Sequence, residues 1–198
     1  MSTDLKKEQM DLYAPPREPT LVEVPEMRYL MVDGKGDPND ADFVLAVEAL
    51  YSVSYTLKFS LKAAGFDFKV MPLEGLWWAG NPEAFLSRDM SEWQWTAMIR
   101  QPDILSEGML EQAKTAVAAK KGLKDLGQLC LETLAEGMSV QMMHIGPYSA
   151  EAPNIGKMHE FMRANRLDFA GKHHEIYLSD PKRCAPEKMK TVLRQPVR

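Results

Sequence analysis

Apolar and polar positions alternate in two recognisable rhythms along this chain, and their order predicts its elements. The run Met27-Arg-Tyr-Leu-Met-Val-Asp33 reads as a strand stopped by Gly34-Lys-Gly-Asp-Pro38. Over 41–64 the rhythm changes. Phe43, Val47, Leu50, Val53, Leu57 and Leu61 fall at three- and four-residue steps, which predicts a long helix with one buried face, capped by Asp40 and ended by Gly65. Strand-like stretches follow at 68–71 running on to 73–78 and at 93–101, with a loop between them at 80–88. A second helix is expected over 106–121, with Ser106 as its cap. Segments 128–134 and 138–145 read as a hairpin turning at Glu136-Gly137. Gly146-Pro147-Tyr148 breaks the second of these, and 155–165 reads as a third helix. Strands over 174–178 and 190–195, separated by a proline-containing loop, close the chain. Residues 1–20 are polar, carry Pro15, Pro16 and Pro19, and read as an N-terminal tail ahead of one domain over 21–198.

The element order repeats: strand, helix, strand, strand. Met31-Val-Asp-Gly34 lies over Met143-His-Ile-Gly146 at the end of a first strand, and Ile99-Arg-Gln-Pro102 lies over Leu193-Arg-Gln-Pro196 at the end of a last one. The two repeats span about 21–102 and 126–196. A single such unit leaves one apolar sheet face too large to stay bare, so two are expected to bury it together, with a groove along their pseudo-twofold seam.

His144-Ile-Gly-Pro-Tyr148, His173-His-Glu-Ile-Tyr-Leu-Ser-Asp180 and Arg194-Gln-Pro196 resemble the GyrI-like small-molecule-binding domain, a family that includes effector-binding domains of multidrug-sensing regulators. With no helix-turn-helix ahead of it, the chain resembles the stand-alone form. The resemblance implies an α+β fold of duplicated strand–helix–strand–strand units, with curved antiparallel sheets around a central groove. It also implies a carboxylate on a late strand that faces this groove, which falls on Glu175.

Glu175, Tyr177 and Ser179 alternate with His174, Ile176 and Leu178. The second set is the more apolar and is expected to pack on the helices, leaving Glu175 and Tyr177 toward the groove. A carboxylate among aromatic groups anchors a cation or serves as an acid or base. Trp77, Trp78, Trp93 and Trp95 crowd two neighbouring strands. Trp93 and Trp95 share a face, Trp77 and Trp78 do not, and at least one of the four is core. The repeat comparison sets Trp77 against Tyr177 and Gly75 against Glu175, which favours Trp77 for the groove. Glu74 ranks below Glu175, on the opposite face from Trp77. Tyr51 and Tyr55, four apart on the long helix, either present two hydroxyls to the groove or edge the core. Tyr148, after its Gly-Pro turn, is placed to donate to a ligand or to Glu175.

Charge and composition narrow the function. The 198 residues are 45% apolar and 26% charged, with 24 basic against 28 acidic side chains and a net charge of −4. That balance argues against direct nucleic-acid binding, which relies on Lys and Arg to neutralise phosphates. No apolar run is long enough for a membrane span, and two distant cysteines fit a reducing compartment, so a cytoplasmic protein is expected. The four histidines match no ligand spacing, so neither a metal nor a cofactor is expected. The 14 methionines suit a core, or a pocket that accepts varied ligands. The leading expectation is a protein that binds hydrophobic, planar or cationic small molecules. The resemblance also implies two alternatives: a cyclopropanoid hydrolase with Glu175 and Tyr148 as its catalytic groups, or a protein-interaction module such as a gyrase inhibitor, whose partner the sequence does not name.

Overall fold

The computed structural model describes residues 2–79, 90–123 and 126–198. In chain order the elements are α1 (Leu5–Glu8), α2 (Met10–Tyr13), β1 (Thr20–Val24), β2 (Met27–Lys35), α3 (Ala41–Ala63), β3 (Leu73–Ala79), β4 (Trp93–Arg100), α4 (Glu107–Lys121), β5 (Cys130–Leu134), β6 (Gly137–Ile145), α5 (Ala152–Ala164), β7 (His173–Tyr177) and β8 (Lys190–Pro196). The loop expected over 80–88 lies outside the described residues. The fold is α+β, and the strand–helix–strand–strand order occurs twice, as β2-α3-β3-β4 and β6-α5-β7-β8. Among the described residues no helix is long and apolar enough to cross a membrane.

The chain forms two compact units, Met1–Leu5 with Met27–Leu134, and Lys6–Glu26 with Ala135–Arg198. In the first, antiparallel strands lie in the order β3-β4-β2-β5. Leu50, Val53, Leu57 and Leu61 of α3 are buried, and α3 lies against β2 and β4. Helix α4 begins where its cap was expected: Ser106 Oγ accepts from Met109 N at 3.4 Å. In the second unit the antiparallel order is β1-β6-β8-β7. Met158 and Met162 of α5 pack on Val140, Met142, Leu193 and Val197.

Several local expectations change. The hairpin at Glu136-Gly137 does not form: β5 pairs with β2, and β6 pairs with β1. Alternation along a strand reports which face is buried but not which strand lies beside it, so two consecutive strands joined by a glycine turn resemble partners without pairing. Residues 1–20 are not simply a tail. Leu12 and Tyr13 are buried, and Thr20 already belongs to β1. Strand β3 starts at Leu73, while Phe68 instead forms an isolated bridge with Thr3. Helix α5 starts at Ala152, before the expected 155, because its first turn accepts Pro153 without losing a hydrogen bond.

Gly34 does not stop β2. The strand continues to Lys35, and Gly34 sits directly across from Trp95 of β4. A Cβ on Gly34 would lie 2.2 Å from the Trp95 indole, so the glycine leaves the space that the ring fills. Trp95 is 2% exposed and has nowhere to retreat. Gly34→Ala should therefore destabilise the protein by about 1–3 kcal/mol through overpacking. Urea unfolding measures this, and an unchanged midpoint would show that the indole can shift at no cost.

Candidate functional site

Residues on β7 and β8 that face each other share one side of the sheet, so Glu175 lies with Leu193, and Tyr177 with Thr191. Leu193 belongs to the cluster under α5. Glu175 and Tyr177 therefore lie on the helix side, while His174 and Ile176 lie on the other. This reverses the expectation that the more apolar set would meet the helix. The reason is that the far side is not bare: it carries a buried ionic cluster and the N-terminal segment. His174 Nδ1 donates to the Glu136 carboxylate at 3.0 Å, and Arg194 Nη1 donates to Glu136 Oε2 at 3.0 Å. Arg194 Nη2 also donates to Leu12 O at 2.9 Å, and Gln141 Nε2 to Asp11 O at 2.6 Å, which seats α2 on this face.

On the helix side, Glu175 has a second carboxylate for a neighbour. Glu151 occupies the N-cap position of α5, yet its side chain makes no capping bond and the residue is only 5% exposed. Burial and then the charge of Glu175 push the Glu151 carboxyl up to about 9, against a smaller opposing effect of the Thr191 hydroxyl. Glu151 Oε1 has no hydrogen-bond partner among the described residues. Burial and the neighbouring carboxylate thus both favour the protonated form of Glu151. His173 Nε2 lies 3.5 Å from Glu175 Oε1, the two side chains being 10% and 16% exposed.

Tyr148, three residues before Glu151, is 39% exposed and meets Tyr177 edge-on at 5.5 Å between ring centroids. Fold and sequence thus bring Glu175, Tyr177 and Tyr148 into one unit, with Glu151 as the member that sequence reasoning missed. Ser149-Ala-Glu-Ala-Pro153 reads as an exposed helix start, and no local signal marks its glutamate as buried.

The other candidates lie in the first unit. Trp77 and Trp95 face each other across β3 and β4, and Phe43 of α3 meets both, at 5.6 and 5.0 Å. Trp93 meets Trp77 at 5.8 Å. Trp77 and Trp95 are buried, at 5% and 2% exposed, and Trp93 is half-buried. Tyr51 and Tyr55 stack along α3, and Phe59 continues the stack. Tyr55 and Phe59 are exposed. Glu74 is wholly buried on the opposite face from Trp77, next along β3 to Gly75. Strand register also corrects the repeat comparison. With Arg100 over Arg194, Gly75 pairs Ala97 as Tyr177 pairs Thr191, so the counterpart of Tyr177 is Gly75 rather than Trp77. The shift is two residues, which leaves every side chain on its face.

The histidines are spread among different surroundings. His173 and His174 point to opposite faces, His144 is engaged at both ring nitrogens, and His159 meets Phe169 edge-on. Partial burial and then His173 lower the pKa of His159. Among the described residues no three His, Cys, Asp or Glu side chains converge as a metal site requires.

Burial of Glu151 is testable through stability. Its free carboxyl titrates near 4.5 and its folded one near 9, so folding favours the protonated form. The stability this contributes is full below about pH 4.5 and is lost as pH rises toward 9. Relative to Glu151→Gln, the parent should lose roughly 3 kcal/mol between pH 4.5 and pH 7. Urea unfolding of both proteins at several pH values reads the difference, and parallel curves would place Glu151 in solvent.

Known proteins agree with this fold. An uncharacterized conserved protein from Listeria innocua is 46% identical over 100% of both chains, with a TM-score of 0.94. Two proteins from Listeria innocua described as hydrolases are 44% and 45% identical, again over 100% of both chains, with TM-scores of 0.91 and 0.89. The C-terminal domain of EcmrR, 11% identical over 91% of this chain and 97% of its own, has a TM-score of 0.60 and shares the fold. No curated protein matches the chain. The profile of the GyrI-like small molecule binding domain matches residues 17–198, and the chain belongs to that family of small-molecule-binding domains.

Proposed function

We propose that this protein is a hydrolase of hydrophobic, strained electrophiles and that Glu151 and Glu175 are its acid–base pair. The observation that carries the reading is the pair itself: the Glu151 carboxyl is buried at the start of α5 with Glu175 of β7 as its neighbour, and burial and that neighbour push it up to about 9. A carboxyl pushed up in this way suits a general acid, and a second carboxyl beside it supplies the candidate base. The two Listeria innocua hydrolases, similar over their whole length, support the same class of activity.

The chemistry is water addition. Glu175 takes a proton from water as its oxygen bonds to a ring carbon of the substrate. The strained carbon–carbon bond breaks, and its electron pair moves onto a conjugated acceptor atom. That atom takes the proton of Glu151, and solvent exchange then resets the pair. Tyr148, beside Tyr177, donates a hydrogen bond to the substrate or to Glu175. Trp77, Trp93, Trp95, Tyr51 and Tyr55 remain the proposed contacts for a planar ligand, with Trp93 and Tyr55 offering the more accessible rings.

The test is incubation with a cyclopropane fused to a conjugated ketone, in water enriched in oxygen-18. A ring-opened product that gains one labelled water is expected. Quenching of tryptophan fluorescence with no product would instead make the protein a binder that sequesters such compounds.

A further inference from the structure

Glu151 and Tyr148 sit on a short connection between β6 and α5, and one buried side chain holds both ends of it. His144, near the end of β6, is 2% exposed. Its Nδ1 lies 2.8 Å from Asn154 Nδ2, in the first turn of α5. An amide nitrogen only donates, so Nδ1 accepts and the ring proton is on Nε2. That nitrogen lies 3.1 Å from Pro147 O and donates to it. The imidazole therefore spans the turn before Tyr148 and the helix after Glu151, in a single tautomer. Gly146 completes the arrangement: at φ +144 it takes a conformation that side chains avoid, and a Cβ there would lie 3.3 Å from His144 Nε2. Two main-chain bonds finish the connection, Gly146 N to Met189 O at 2.9 Å and Glu151 N to Tyr148 O at 3.2 Å.

We infer that His144 is a positioning residue: by tying Pro147 to Asn154 it fixes the segment that carries Tyr148 and Glu151 against β7 and β8. This rests on the acid–base reading of Glu151. His144 acts through that segment and touches no reacting atom. Its effect on Glu151 is indirect. The groups that face Glu151 are Glu175 from β7 and Thr191 from β8, with His173 beyond Glu175. If the connection loosens, Glu151 moves away from Glu175 and water reaches it, and both changes lower its affinity for a proton.

The experiment is a carbon-13 NMR titration of the Glu151 carboxyl, together with steady-state hydrolysis, in the parent, His144→Phe, His144→Gln and Asn154→Ala. Phe keeps a ring but loses both hydrogen bonds, whereas Gln retains one donor and one acceptor. In His144→Phe the Glu151 midpoint should fall by about one unit or more from near 9. Turnover should drop roughly tenfold or more with little change in KM, as misplacement of reacting groups predicts. His144→Gln should restore most of both, and Asn154→Ala should shift the titration in the same direction. Should His144→Phe fail to fold, Asn154→Ala carries the test. An unshifted Glu151 titration in a folded His144→Phe, or in Asn154→Ala when it alone folds, overturns the positioning role. A parent that titrates near 9 but hydrolyses nothing overturns the acid–base reading, while the titrations still decide the role of His144.

Discussion

Glu175→Gln should reduce turnover on a strained electrophile by about 10²–10⁴-fold, the range for loss of a general acid or base. The amide keeps the side-chain volume but cannot take a proton from water. Ligand binding should change far less, because planar apolar contacts and the Tyr148–Tyr177 pair are untouched. Folding should be preserved or improved. The Glu175 side chain is 16% exposed, so the amide removes the desolvation cost of a partly buried charge, and with Glu151 protonated it leaves no partner charge stranded. The same logic makes Glu151→Gln a partner experiment. It should also lose turnover, and on the proposed division of roles the double variant should fall little below either single one. Glu175→Gln with parental turnover would make the carboxylate a bystander. A protein that only binds cations would behave differently, losing roughly 1–3 kcal/mol of affinity in Glu175→Gln as a charge-assisted hydrogen bond disappears.

Glu136→Gln should cost about 3–5 kcal/mol of stability, the effect of removing one member of a buried ionic cluster. Glu136 is 3% exposed, His174 and Arg194 not at all. Arg194 also accepts no help from solvent: its donors go to Glu136, to Gln141 Oε1 at 3.2 and 3.3 Å, and to Leu12 O. An amide leaves the guanidinium without a counter-charge and asks His174 to donate to a neutral oxygen. The pH dependence has the opposite sign to that of Glu151. Burial alone would raise the Glu136 carboxyl, but the charges and hydrogen bonds of His174 and Arg194 outweigh it and hold the group at about 2. Because the folded value lies below the unfolded one, the stability it contributes is full above about pH 4.5 and is lost as pH falls toward 2. Parent and Glu136→Gln should therefore differ most at neutral pH and converge in acid. A constant gap across that range would assign the loss to packing instead. The cluster also seats α2, so protease sensitivity within residues 5–13 should rise in the variant.

The sequence by itself determined the α+β class, the twofold strand–helix–strand–strand order and the positions of α3, β4, α4 and β8 to within a few residues. Hydrophobic spacing, Ser106 and the Leu-Arg-Gln-Pro signature are local signals, and local physics sets element type and ends. Alternation also separated Glu175 and Tyr177 from His174 and Ile176, because a strand's period of two survives in any surroundings. Which set meets a helix was decided by the tertiary structure. The buried charges of His174, Glu136 and Arg194 make the other face habitable, and these groups are 38 and 58 residues apart in sequence. Strand partnership was likewise non-local: β5 found β2, and β6 found β1, because main-chain donors carry no address. Gly34 read as a break and became the floor under Trp95, a role visible only once the facing strand is known. Glu151 is the clearest case. A glutamate at a helix start reads as a solvated charge, and only the approach of β7 and β8 strips away its water, brings Glu175 beside it and turns it into an acid that keeps its proton at neutral pH.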